Sequence, residues 1–206
     1  MAPRPAQPPP VQRLLRRWLR PQWPRLWAVS RRIDRFNSAI GRAASWLVLV
    51  MLAVGSWNVV GRHLGVLIGH NLSSNALIES QLYLFDLIFL LGAAWTLQRN
   101  GHVRVDVLQA RWTPRQRALA DLLGTVFFLI PFCLLMIGVS WGTVASSWHI
   151  LEQSPDPGGL PRYPIKTMIP LSFALLALQG ISEAIKRLDR LLAPGPSDAM
   201  ATPDGR

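Results

Sequence analysis

Four long stretches almost free of charge constrain this chain more than any other feature. Ala43–Gly61 runs 19 residues without a charged side chain, and Leu77–Leu97 runs 21 with only Glu79 and Asp86. Leu122–Leu151 runs 30 residues with none; Thr167–Ser182 runs 16, which Ile165 and Ile185 extend to a full crossing. About 20 apolar residues at ~1.5 Å each cross a ~30 Å hydrocarbon layer, where only a helix or a closed barrel satisfies its own backbone. None of the stretches alternates with period two, which excludes barrel strands. The expectation is an all-α integral membrane protein with four transmembrane helices, at about 43–61, 77–97, 119–147 and 165–185.

The basic residues give these helices a direction. The chain carries a net charge of +11 from 22 basic and 11 acidic residues. Ten Arg and one acid, Asp34, precede the first span, and Arg62 alone lies between spans one and two. Five Arg follow in 98–117, then Arg162 and Lys166, then four basic residues from Lys186 onward. This alternation is what the positive-inside rule requires of a bacterial inner-membrane protein with both termini cytoplasmic. It also accounts for the high isoelectric point without nucleic acid, for which the chain has no reader module. The single cysteine, Cys133, sits mid-span, reads as a packing residue and permits no internal disulfide.

The flanks divide the chain into three parts: a basic N-terminus (1–35), a four-helix transmembrane domain (36–190) and a disordered cytoplasmic tail (191–206). The first ten residues are Pro-rich and read as disordered, and no secretory signal peptide is evident. Val11, Leu14, Leu15, Trp18 and Leu19 then recur at helical spacing opposite Arg13, Arg16, Arg17 and Arg20. That pattern predicts an amphipathic helix lying on an anionic lipid bilayer. Pro21 and Pro24 interrupt it, after which Trp23, Leu26, Trp27, Ile33 and Phe36 carry an apolar stripe into span one. Thr113-Pro-Arg-Gln116 reads as a capping box that starts the third helix. Pro131 is expected to kink that helix by removing a backbone hydrogen bond. Ser154–Pro164 predicts a rigid turn, and Pro170 is expected in or near the first turn of the fourth helix.

Few residues invite chemistry. Asp86 lies in the middle of span two, where an ionised carboxylate costs about 2.5–3.5 kcal/mol even on the lenient insertion scale. It should therefore face protein or water, as a proton or ion site or in a hydrogen bond to another helix, with Asn58, Trp57 and Gln179 as candidate partners. Glu79, seven residues earlier and nearer the outer surface, shares roughly the same face and is placed to reach water. His102, Arg104 and Asp106 alternate with Val103, Val105 and Val107 in the loop after span two. His102 and Asp106 make only half a metal site, with the other histidines across the membrane; a charge network ordering the loop is the better reading. No nucleophile elbow, phosphate loop or paired cysteines appear, nor the inverted repeats and broken helices of an independent transporter. No enzyme activity, cofactor or metal is expected.

Three runs together resemble a known family: Glu79-Ser-Gln-Leu-Tyr-Leu-Phe85, Phe89-Leu-Leu-Gly92 continuing to Gln98, and Gly101-His-Val-Arg-Val-Asp-Val-Leu108. They look like the small permease subunit of tripartite ATP-independent periplasmic (TRAP) transporters. The likeness continues through Pro114-Arg115, Asp121–Gly124, Glu152, Gly158-Gly-Leu-Pro161, Ile165-Lys166, Ile169-Pro170 and Leu178–Ser182. It covers roughly residues 36–190, and the 152–161 stretch looks most like the branch labelled for mannitol or chloroaromatic compounds. The resemblance implies a periplasmic solute-binding protein that delivers an organic acid, and a large permease subunit that carries the substrate and sodium sites. The small subunit packs beside it as a scaffold. Glu79, Gly92, His102, Arg104, Asp106, Gly159, Pro161, Pro170 and Gln179 are the signature positions it marks as candidates for the subunit interface. Asp86 departs from the pattern, and no role is carried onto it.

Overall fold

The structure is a computed structural model that describes residues 22–70, 72–99, 101 and 112–192. The expected amphipathic helix at 11–20 and the His102, Arg104 and Asp106 triplet lie outside the described residues. Four helices are long and apolar enough to cross a membrane: α1 (Trp23–Ile68), α2 (Asn75–Gln98), α3 (Pro114–His149) and α4 (Tyr163–Leu192). At ~1.5 Å per residue, α1 is about 69 Å long, more than twice the hydrocarbon thickness. Its first half, which holds Arg25, Arg31, Arg32, Arg35 and Arg42, therefore extends beyond the bilayer as a continuation of the span.

The sequence accounts for where each helix begins and ends. Pro24 occupies the first turn of α1, and Gly69 closes it in the left-handed conformation (φ 77°), donating its N–H to the Gly65 carbonyl. Ser74 caps α2 by accepting from the Leu77 N–H at 3.3 Å. The capping box of α3 is present in full. Thr113 Oγ1 accepts from the Gln116 N–H at 3.3 Å, and Gln116 Oε1 accepts from the Thr113 N–H at 2.8 Å.

Two prolines behave differently from expectation. Pro131 does not simply kink an α-helix, because a π-helical turn, Thr125–Leu129, precedes it, with the Ile130 N–H reaching back to the Thr125 carbonyl. One extra residue in that turn makes room for the proline ring and for the backbone hydrogen bond that Pro131, with no N–H, cannot make. The turn packs on Gly180 of α4, where an added Cβ would stand 3.1 Å from Leu129 and 3.5 Å from Thr125. Pro170 lies well inside α4, buried, and not in its first turn.

α4 forms the centre of the bundle. Of its most apolar window 39% is buried, against 6–11% for the other three helices. α1, α2 and α3 all pack on it, and α1 also packs along α2. Small and amide residues (Ser30, Asn37, Gly41, Ala44, then Asn58, Gly61, Gly65) line the buried stripe of α1, which lets the helices approach closely. At Gly41 the approach is tightest, since a Cβ there would lie 2.4 Å from Trp95 Cγ.

Candidate functional site

The polar side chains gather at the two ends of the bundle. One end, here the loop end, carries the 69–74 and 150–162 connections; the other, the terminal end, carries the starts of α1 and α3 and the end of α4.

At the loop end, Glu79 is buried, 6% exposed, and does not open to water as expected. Its carboxylate accepts from the Ser154 hydroxyl and from the Leu160 backbone N–H. One turn further along α2, the Tyr83 hydroxyl donates to the Leu160 and Pro161 carbonyls at 3.4 and 3.3 Å. Gly159 must be glycine here, because a Cβ would fall 2.5 Å from that of Ser154 and 2.7 Å from Glu79 Oε2. Two of the signature positions, Glu79 and Gly159, thus meet at one carboxylate, and the carbonyl of a third, Pro161, accepts from Tyr83 one turn along α2. The loop is also tied to α3 and α4. Glu152 accepts from Lys166 in an ion pair and from Ser147 Oγ at 2.7 Å. The Lys166 ammonium and then the Ser147 hydroxyl hold the Glu152 carboxyl below the usual glutamate range. Trp148 Nε1 donates to Thr167 Oγ1 at 2.8 Å, with its ring edge-on to Tyr163.

At the terminal end, Gln179 joins α4 to α1. It is fully buried, accepts from Asn37 Nδ2 at 2.8 Å and donates to Asp34 Oδ1 at 2.9 Å. Ser182 Oγ donates to the same Asp34 oxygen at 2.7 Å, and Lys186 Nζ pairs with Asp34 Oδ2 at 2.7 Å and with Glu183 at 2.8 Å. Arg187 of α4 pairs with Asp121 of α3 at 3.1 Å. Gln98, at the end of α2, accepts from Ser38 Oγ at 2.8 Å and donates to the Asp34 carbonyl at 3.3 Å. Sequence reasoning singled out Gln179 but missed the Asp34–Lys186 pair. The available signal was that Asp34 is the single acid among ten Arg, and Lys186 one of only two Lys.

Asp86 borders the loop-end cluster, but among the described residues it makes no hydrogen bond or ion pair with either cluster. None of its expected partners reaches it: Gln179 is committed to Asn37 and Asp34, Asn58 accepts from Ser73, and Trp57 is exposed on α1. Asp86 is exposed on the surface of the bundle and lines a groove of about 310 Å³ with Glu79, Tyr83, Arg162 and Lys166. Gly92 lies further down α2, with open space around it. Among the described residues no three His, Cys, Asp or Glu side chains gather closely enough to hold a metal.

A bundle of four apolar spans, knotted at each end by polar contacts between its own helices, is a small multi-pass α-helical membrane protein. Its family follows from the chain itself. A family model for tripartite ATP-independent periplasmic transporters, DctQ component, matches residues 47–190, and this chain belongs to that family. The family is a transporter component that works with a large permease and a periplasmic binding protein. No curated protein and no solved structure matches the chain.

Proposed function

We propose that this chain is the small scaffold subunit of a TRAP secondary transporter in the bacterial inner membrane. A periplasmic binding protein delivers an organic acid or related solute, and an ion gradient drives its import through the large permease subunit. The observation that carries this reading is where the polar groups sit. At the loop end polar contacts tie α2, α3 and α4 to the 150–162 loop, and at the terminal end they join α1 to α2 and α4, and α3 to α4. Such a bundle keeps its shape, which suits a support beside a moving partner and not a carrier that must itself rock between two states.

In this reading the loop end faces the periplasm and both termini the cytoplasm, where the Arg-rich segment before Trp23 rests on anionic lipid. His102, Arg104 and Asp106 then lie on the cytoplasmic side as candidates for contact with the large subunit. Reporter fusions after Ser74 and at Asp156 should report periplasm, and fusions at Arg111 and Pro194 cytoplasm; a cytoplasmic signal at Asp156 would refute the orientation. Uptake in proteoliposomes tests the role. Transport should require the large subunit, the binding protein and this chain together. Full uptake by the large subunit and binding protein without this chain would refute it.

A further inference from the structure

We propose that the α2 face carrying Leu82, Phe85, Asp86 and Phe89 seats a transmembrane helix of the large permease, which presents a hydrogen-bond donor to the Asp86 carboxylate. The inference rests on the subunit role just proposed and names the surface through which that role is exercised.

The four residues stand at i, i+3, i+4 and i+7 and form one stripe along the helix. All four are exposed in the isolated chain. Asp86 is the twelfth residue of a 24-residue span, so it lies at mid-bilayer depth. Among the described residues no hydrogen bond or ion pair engages it. Of the two cations in the same groove, Lys166 is bound to Glu152, and no ion pair joins Arg162 to Asp86.

The surroundings of Asp86 decide among possible neighbours. Hydrocarbon offers a carboxylate no donor. Water could enter the groove from the loop end, but Phe85 and Phe89 flank Asp86 with fully apolar rings, 57% and 68% exposed, which call for an apolar neighbour. A second copy of this chain meeting the same face across a two-fold axis would bring one Asp86 towards the other, and two carboxylates repel. A transmembrane helix of a different chain, apolar along its length with one donor side chain, satisfies the rings and the carboxylate together. The outward face of α3, with Phe127, Phe128, Phe132 and Val139, is large and apolar but carries no charge across 122–151, so lipid suffices there.

The test uses the full chain co-expressed with the large permease. A photo-crosslinking amino acid at Phe85 or Phe89 should capture the large subunit on illumination of native membranes, while the same group at Phe128 or Val139 should not. Asp86→Leu should lower recovery of the large subunit by about tenfold, the loss expected for one charge-assisted hydrogen bond. Asp86→Asn, which keeps an acceptor oxygen, should retain most of it. Leucine is at home in lipid, so lost assembly in this variant cannot come from a failure to insert. The proposal is overturned if the large subunit co-purifies but crosslinks only through α3, if the α2 probes capture a second copy of this chain or nothing, or if Asp86→Leu assembles normally. If the wild-type chain recovers no large subunit, the subunit role itself fails, and this face with it.

Discussion

Removing the Asp34 carboxylate should be the most damaging single change at the terminal end of the bundle. Its side chain is 19% exposed, as is that of Lys186, and it accepts from Lys186, Gln179 and Ser182 at 2.7, 2.9 and 2.7 Å. An exposed ion pair contributes ~0–1 kcal/mol, whereas breaking a buried one costs ~3–5 kcal/mol. Two features place Asp34→Ala between these limits. Lys186 keeps Glu183 at 2.8 Å, which lowers the cost. Gln179 Nε2 keeps only a long 3.5 Å contact to Glu183 inside a fully buried side chain, and a donor stranded in that way costs ~1–3 kcal/mol. The expected loss is about 2–3 kcal/mol. Unfolding in mixed micelles, followed by tryptophan fluorescence, measures it; Arg35→Ala on the exposed side of the same helix should stay within about 0.5 kcal/mol of wild type. A double-mutant cycle with Lys186→Met should give a coupling of about 1–2 kcal/mol. An Asp34→Ala protein as stable as the Arg35→Ala control, or zero coupling to Lys186, would refute the reasoning.

Gly41→Ala should destabilise the bundle by about 1–3 kcal/mol because its methyl overlaps the Trp95 ring, while Gly92→Ala, in open space, should be neutral by the same measurement. Because the Glu152 carboxyl is held below its ordinary value, its contribution to loop stability is complete above the ordinary glutamate value of about 4.3 and is lost as pH falls through the lower folded value. Protease nicking at 153–158 should therefore start only below that range, whereas Glu152→Gln should be nicked more readily even at pH 7; onset above pH 5 in the wild type counts against the ion pair. Arg104→Ala and Asp106→Ala should insert normally but recover much less large subunit, and intact complexes with normal uptake from both would reduce the motif to a topology signal.

The number of spans was legible in the sequence because burial of a transmembrane helix in lipid is a local property. A run of about 20 apolar residues specifies its own environment, whatever the rest of the chain does. The start of α3 was legible for a similar reason: Thr113 and Gln116 cap a helix through atoms three residues apart. The irregular loop before α4 followed from its prolines and glycines, and the family followed from runs of residues, not from contacts. The tertiary structure alone decided how the helices use their polar groups. Asp34 meets Lys186, Gln179 and Ser182 only because α4 is the central helix, and lipid rewards all four apolar helices alike, so hydropathy cannot rank them. The same holds at Pro131, where the local rule foretold a disturbed helix but a π turn against Gly180 set its form. Pro170, expected at a helix start, is buried inside α4 because the helix begins earlier, at Tyr163, beside the ring of Trp148. Asp86 is marked by the cost of a carboxylate in mid-span, yet its expected partners are occupied elsewhere or face away. Which groups pair in a membrane bundle depends on the rotation of each helix about its axis, and that rotation is set by packing between helices distant in sequence.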